Sequence, residues 1–222
     1  MQATSEQTTT ATPQDATPSR YYQVVFIWMK DPVTFGRYAA LVEPVVRLYG
    51  GGLERRLLPD AIYAEGMPKP DIVNIVFCDN RAAFAAFDKD PEFAKIVHLR
   101  SESIDMASVA GVPFGGEVTH RDTGNRLYLV ELARFGPQGA AGYREYEEQA
   151  EPVMCRYGYH VERRLTPDSA SGFPFQPDLI KVAYFDSPDG RERLHKDPAH
   201  LRIENELYPA AVHYQILLLF RH

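Results

Sequence analysis

Four polar residues stand in runs that are otherwise apolar: Glu131 in Leu129-Val130-Glu131-Leu132, Lys181 in Ile180-Lys181-Val182, and His213 and Gln215 just ahead of Ile216-Leu217-Leu218. Burying such groups without partners is costly, so each must be used or paired. A carboxylate beside a lysine in apolar surroundings has a shifted pKa and can serve as a general base. On this reading Glu131 or His213 accepts a proton. Lys181 faces the oxygen on which negative charge develops. Arg163 and Arg164 are adjacent on one strand and point to opposite faces, so one of them can enter a cavity and hold an anionic or carbonyl oxygen. Glu131, Lys181, His213 and one of these arginines are expected to line a single cavity, with Gln215 and Asn74 contributing to substrate binding. The plainer alternatives are a cross-strand Glu–Lys ion pair, a surface histidine, and rim salt bridges from the arginines to Glu54 or Glu162.

Other chemistries find no support in the residues. Gly50-Gly51-Gly52 is a lone turn and not a phosphate-binding loop. No nucleophile-elbow pentapeptide and no Cys-x-x-Cys occurs. His195 and His200 are five residues apart, a spacing that does not place two ligands on one helical face, so no metal is expected. No sequence feature calls for a cofactor. Cys78 and Cys155 sit among apolar neighbours and read as buried, reduced and structural.

The elements that must position these residues come as an internal repeat. Glu43-Pro44 recurs as Glu151-Pro152, Tyr49-Gly50 as Tyr157-Gly158, Leu53-Glu54-Arg55-Arg56-Leu57 as Val161-Glu162-Arg163-Arg164-Leu165, and Pro59-Asp60 as Pro167-Asp168, all 108 residues apart. Pro70-Asp71 and Lys89-Asp90-Pro91 recur as Pro177-Asp178 and Lys196-Asp197-Pro198 at an offset of 107. Asn74 then occupies the place of Lys181. The predicted organisation is a disordered tail over 1–20, a first repeat over 21–114, a polar linker over 115–125 and a second repeat over 126–222. In each repeat, β-branched and aromatic runs alternate with helical apolar spacing in the order β-α-β-β-α-β. Gly50 and Gly158 follow the first helices as C-caps, and an Asp-Pro crosses each second helix and should split it. That order is the ferredoxin-like unit. The first and third strands are expected as parallel neighbours at the sheet centre. Because strands such as 179–185 are apolar on both faces, each sheet needs a second cover, and the economical arrangement is sheet against sheet with the helices outside.

Composition narrows the partners. The chain has 222 residues, with 24 Lys and Arg against 30 Asp and Glu for a formal charge of −6. That balance disfavours a nucleic-acid partner. No apolar run approaches the ~20 residues of a membrane span. Residues 1–20 lack the apolar core of a secretory signal, so a cytoplasmic location is expected.

A β-α-β-β-α-β unit of this kind, with Tyr-Gly closing the first helix and both sheet faces apolar, resembles the dimeric α+β barrel superfamily. Within it, the likeness is to a small single-domain family of unknown function with a Tyr-rich first strand. The resemblance spans about 21–222. It implies that two such units close one barrel, either within one chain as a monomer or in a homodimer. Superfamily members include cofactor-independent monooxygenases, aromatic-polyketide cyclases, muconolactone-type isomerases, haem-binding proteins and proteins of no known activity. No catalytic residue is common to them, so none is carried over. The resulting expectation is a small-molecule enzyme that binds an apolar, aromatic or polyketide-like substrate in the barrel lumen and acts by proton abstraction. The rival is a non-catalytic binding protein using the same lumen, and a third reading, a structural interaction module, predicts a filled lumen.

Overall fold

The computed structural model describes residues 20–114 and 126–221. The expected tail and linker lie almost wholly outside the described residues. The first half contains β1 (Arg20–Met29), α1 (Pro32–Arg47), β2 (Gly52–Leu57), β3 (Ala61–Tyr63), β4 (Ile72–Cys78), α2 (Arg81–Phe87), α3 (Pro91–Ser103) and β5 (Ile104–Phe114). The second contains β6 (Leu127–Phe135), α4 (Gly139–Cys155), β7 (Tyr159–Leu165), β8 (Ser169–Ser171), β9 (Leu179–Phe185), α5 (Pro188–Leu194), α6 (Pro198–Glu206), α7 (Tyr208–Ala211) and β10 (Val212–Arg221). The fold is α+β, two ferredoxin-like units packed sheet to sheet. None of the helices described is long and apolar enough to cross a membrane.

The residues that recur between the halves build local scaffold. Asp90 and Asp197 are N-caps, each accepting two backbone N–H bonds at the start of α3 and α6, with Pro91 and Pro198 at the first helical position. The Asp-Pro pairs therefore split each second helix, as expected from the sequence. Tyr49 and Tyr157 donate their hydroxyls to these same aspartates at 2.7 and 2.6 Å, tying the end of the first helix to the start of the next. Asp71 and Asp178 accept the backbone N–H of Met29 and Phe135 at 2.7 and 2.9 Å, fixing the exit of the first strand. Gly50 and Gly158 have φ of 63° and 77°, where a Cβ would be strained, and they turn the chain off α1 and α4.

The sheets run β2-β4-β1-β5-β8 and β3-β10-β6-β9-β7, with every pairing antiparallel. The central neighbours β1/β4 and β6/β9 are thus antiparallel, which corrects the parallel pairing expected. The return through the β2-to-β4 connection reverses the strand before it docks beside β1. Each sheet also has a fifth strand donated by the other half: β3 pairs with β10, and β8 with β5. This exchange covers an edge that would otherwise present unpaired backbone groups. It needs a close approach at Gly111, where a Cβ would lie 2.1 Å from the Tyr21 hydroxyl. That hydroxyl donates to Asp168 across the halves at 2.6 Å.

The largest apolar cluster lies between the sheets and includes Val24, Phe26, Val73, Ile75, Val130, Leu132, Ile180, Val182, Ile216 and Leu218, all essentially inaccessible. Smaller clusters fill the spaces between each sheet and its helices. Cys78 is buried, and burial pushes its thiol up to about 11. Cys155 is exposed at the end of α4, against the expectation that it would be buried.

Candidate functional site

The expected lumen between the sheets is packed with the side chains just named. The cavities lie on the opposite faces, between each sheet and its own helices. Strand parity explains the placement. Val130, Leu132, Ile180 and Val182 point to the other sheet, so Glu131 and Lys181, in the alternate register, point to α4–α7.

The register sets one row of side chains across the second sheet: Leu217, Glu131, Lys181 and Arg164 on β10, β6, β9 and β7. Lys181 Nζ lies 2.8 Å from Glu131 Oε2 and 3.2 Å from Glu147 Oε1, and it donates to Tyr143 Oη at 2.9 Å. All three of its protons are engaged. Burial alone would push the ammonium down, but the surrounding Glu131, Tyr159, Tyr143 and Glu147 overcome this and hold Lys181 well above its ordinary pKa. It is a fixed cation. Gln215 Nε2 donates to Glu131 Oε1 at 2.9 Å, so both carboxylate oxygens are oriented. Arg164 donates to Glu147 at 3.1 Å and pairs with Glu151, closing the network on the α4 side.

Glu131, Lys181 and Gln215 line a cavity of about 350 Å³ with Tyr146, Tyr159, His200, Glu204 and Tyr208. Tyr146 donates to Glu204 at 2.8 Å. His200 is buried, with Nε2 3.8 Å from Glu204. Burial lowers its pKa, against the opposing pull of Glu204 and Asp197, so its neutral form is favoured. His200 Nδ1 and the Tyr208 hydroxyl are buried without a hydrogen-bond partner among the described residues. Burial raises the Tyr159 phenol to about 12 and pushes Tyr143, Tyr146 and Tyr208 up as well, so all four stay protonated donors.

The other residues expected in this cavity lie elsewhere. His213 is exposed, its ring edge-on to Tyr214 at 4.3 Å. The register of β10 slips between Val212 and Tyr214, which takes His213 out of the alternation that Gln215 obeys. Arg163 points between the sheets, where it bonds Glu54 at 2.7 Å and Glu162 at 2.9 Å and lies over the Tyr22 ring. Its counterpart Arg55 bonds Glu162 at 3.0 Å and lies over Tyr128. Arg164 faces the helix side but sits outside the cavity, 40% exposed. Asn74 lines the cavity of the first half.

That cavity, about 560 Å³, lies between the first sheet and α1–α3. Its matching row reads Val109, Val25, Asn74 and Arg56 on β5, β1, β4 and β2. The sequence alone weighs His200 only as a metal ligand and does not single out Glu204, Tyr143 and Glu147 as site residues. The repeat carried a signal for them: at offsets of 107 and 108 the first half has Phe93, Val97, Phe35 and Ala39 in their places. Polar groups in positions that the other half fills with apolar ones mark a different interior. Among the described residues, no cluster of three His, Cys, Asp or Glu side chains is arranged to hold a metal.

Residues 20–112 match the family model described as a domain of unknown function (DUF1330). No curated protein matches the chain. Among solved structures, it is similar to an anthrone oxidase-like protein, with 13% identity, a TM-score of 0.53 and 92% of each chain covered. It is similar also to chlorite dismutase from Candidatus Nitrospira defluvii, with 9% identity, a TM-score of 0.58 and 91% of each chain covered. At such identities the likeness is one of fold: two antiparallel sheets packed face to face with the helices outside.

Proposed function

We propose that this protein is a small-molecule enzyme that acts by proton transfer in the second-half cavity on an apolar substrate, aromatic or polyketide-like. The reaction class is cyclisation, isomerisation or cofactor-independent oxygenation. The chain is read as a tandem duplication of one unit, over 21–114 and 126–222, working in the cytoplasm as a monomer or a homodimer. The observation that carries the catalytic reading is the Glu131 carboxylate, buried on an apolar sheet with one oxygen held by Lys181 and the other by Gln215. Glu131 is the proton acceptor. Lys181, with its protons fully engaged, is a positioning residue that holds the carboxylate in place. The Tyr208 hydroxyl, buried and unpartnered, is the donor for an oxygen that gains charge as the proton leaves.

The test is turnover and melting temperature of Glu131→Gln on a substrate found by screening aromatic polyketides and lactones. Loss of a working general base lowers turnover by roughly 10²–10⁴-fold. His213→Ala, altering an exposed side chain away from the cavity, retains turnover. A Glu131→Gln protein that folds, binds substrate and turns over at the wild-type rate removes the mechanism. The second reading, a non-catalytic binding protein, is favoured by the first-half cavity, which is larger and has no buried carboxylate among its lining residues.

A further inference from the structure

The first-half row differs from the second in a way that leaves one cation over. In the second half, Arg164 is met by Glu147 and Glu151. In the first half, the place of Glu147 is taken by Ala39. Glu43, in the place of Glu151, is drawn away to Arg47 at 2.5 Å along the helix, whereas the second half has Cys155 in the place of Arg47. Arg56 therefore stands at the cavity mouth with no carboxylate partner among the described residues. Its one hydrogen bond there runs from Nε to Asn74 Oδ1 at 3.3 Å, which leaves both terminal nitrogens free. Asn74 is buried, and with its oxygen facing Arg56 its amide N–H₂ remains available to the cavity. Gln23 also lines the cavity, and its side-chain amide has no partner among the described residues. Behind these donors the wall is apolar, built by Val25, Ile27, Phe35, Val42, Val76 and Val109. The acids of the remaining rim, Asp88 and Asp105, are exposed to solvent and share that rim with Arg100.

We infer that the first-half cavity binds an amphipathic monocarboxylate, its carboxylate on Arg56 and Asn74 and its aliphatic or aryl body against the apolar wall. A planar guanidinium with two free N–H edges matches a carboxylate in a bidentate manner. A volume of about 560 Å³ is within the range of small-molecule sites and accommodates a ten-carbon chain or a fused two-ring body. This inference stands apart from the proton-transfer reading, because it concerns the other cavity and is read by binding alone.

The experiment is titration calorimetry on the full chain with naphthoate and decanoate, each set against the matching alcohol, naphthalenemethanol or decanol. Wild type is expected to prefer each acid over its alcohol by about tenfold, the worth of a charge-assisted hydrogen bond at a part-exposed site. Arg56→Gln removes the preference while the alcohols bind as before. Ala39→Glu, which restores to Arg56 the partner that Arg164 has, removes it as well. Absence of saturable binding by either acid overturns the inference. So does equal affinity of acid and alcohol, or a preference for acid that persists in Arg56→Gln.

Discussion

The row of four side chains across the middle of each sheet reads Val109, Val25, Asn74, Arg56 in one half and Leu217, Glu131, Lys181, Arg164 in the other. The backbone beneath the two rows is the same: the same strand order, the same bulge in the strand bearing the arginines, and the same aspartate caps. What differs is the interior chemistry. One half carries a largely buried carboxylate–ammonium–carboxylate chain walled by tyrosines, the other an apolar pocket with Arg56 and Arg100 at its rim. Most residues identical between the halves hold the scaffold, and the interiors diverge at residues that differ, with Arg56, the match of Arg164, an identical residue that nonetheless lines a cavity. Where two halves share one scaffold, chemistry is therefore to be sought where their interiors differ.

The comparison breaks most sharply at the lysine. Replacing Lys181 by Met leaves the buried Glu131 without its cation, while Glu147 keeps Arg164, and the expected loss of stability is about 3–5 kcal/mol. The matching change in the first half, Asn74→Leu, removes one hydrogen bond to an exposed arginine and costs about 1 kcal/mol. Transplanting the first-half pair as Glu131→Val with Lys181→Asn removes both charges together, and it should cost less than Lys181→Met alone. Urea unfolding checks all three. A Lys181→Met protein no less stable than Asn74→Leu means that the buried network is solvated and the two interiors are electrostatically alike.

Where the halves agree, mutation should treat them alike. Arg55 and Arg163 make reciprocal ion pairs with Glu162 and Glu54, each arginine over a tyrosine of the opposite sheet. Each arginine is nearly inaccessible, so Arg55→Met and Arg163→Met should each cost about 3 kcal/mol and fall within about 1 kcal/mol of one another. Thermal or urea unfolding of the two variants decides it. A difference much larger than that would mean that one half dominates the contact between the sheets.

The sequence carries the scaffold plainly and the site only in part. The repeated Asp-Pro, Tyr-Gly and Pro-Asp pairs are local devices whose geometry follows from residue type, and they locate helix starts, helix ends and strand exits. Apolar strands on both faces call for two covers, but they do not say which cover packs tightly. The interdigitation of Phe26, Ile75, Leu132 and Ile180 settles that, and it closes the lumen. Glu131, Lys181 and Gln215 come together because their strands alternate regularly. His213 and Arg163 go elsewhere because a bulge lies just beside each, and no residue type announces it. The short exchanged strands, three residues each, are too brief to leave a periodic signal.

The smallest expected effect concerns His200, whose counterpart is Phe93. His200 is buried with a pKa below the ordinary histidine value, because burial outweighs Glu204 and Asp197. His195, its ring 5.8 Å away, is lowered in the same direction by burial and by Arg191. A histidine with a depressed pKa binds fewer protons folded than unfolded, so stability rises with pH across the interval between the two values. The contribution is fully present above about pH 6.5, the unfolded value, and is lost as the pH falls through that point toward the folded pKa. His200→Phe places the first-half residue in the second half and should fold. Its melting temperature should decline less than that of wild type between pH 7 and pH 5, about the range in which histidine titrates. The residual slope belongs to His195 and the carboxylates, which the substitution leaves in place. Parallel melting curves for the two proteins over that range would mean that His200 titrates as freely folded as unfolded. The second-half interior would then be no drier at this point than solvent, and the contrast with the apolar wall around Phe93 would be lost.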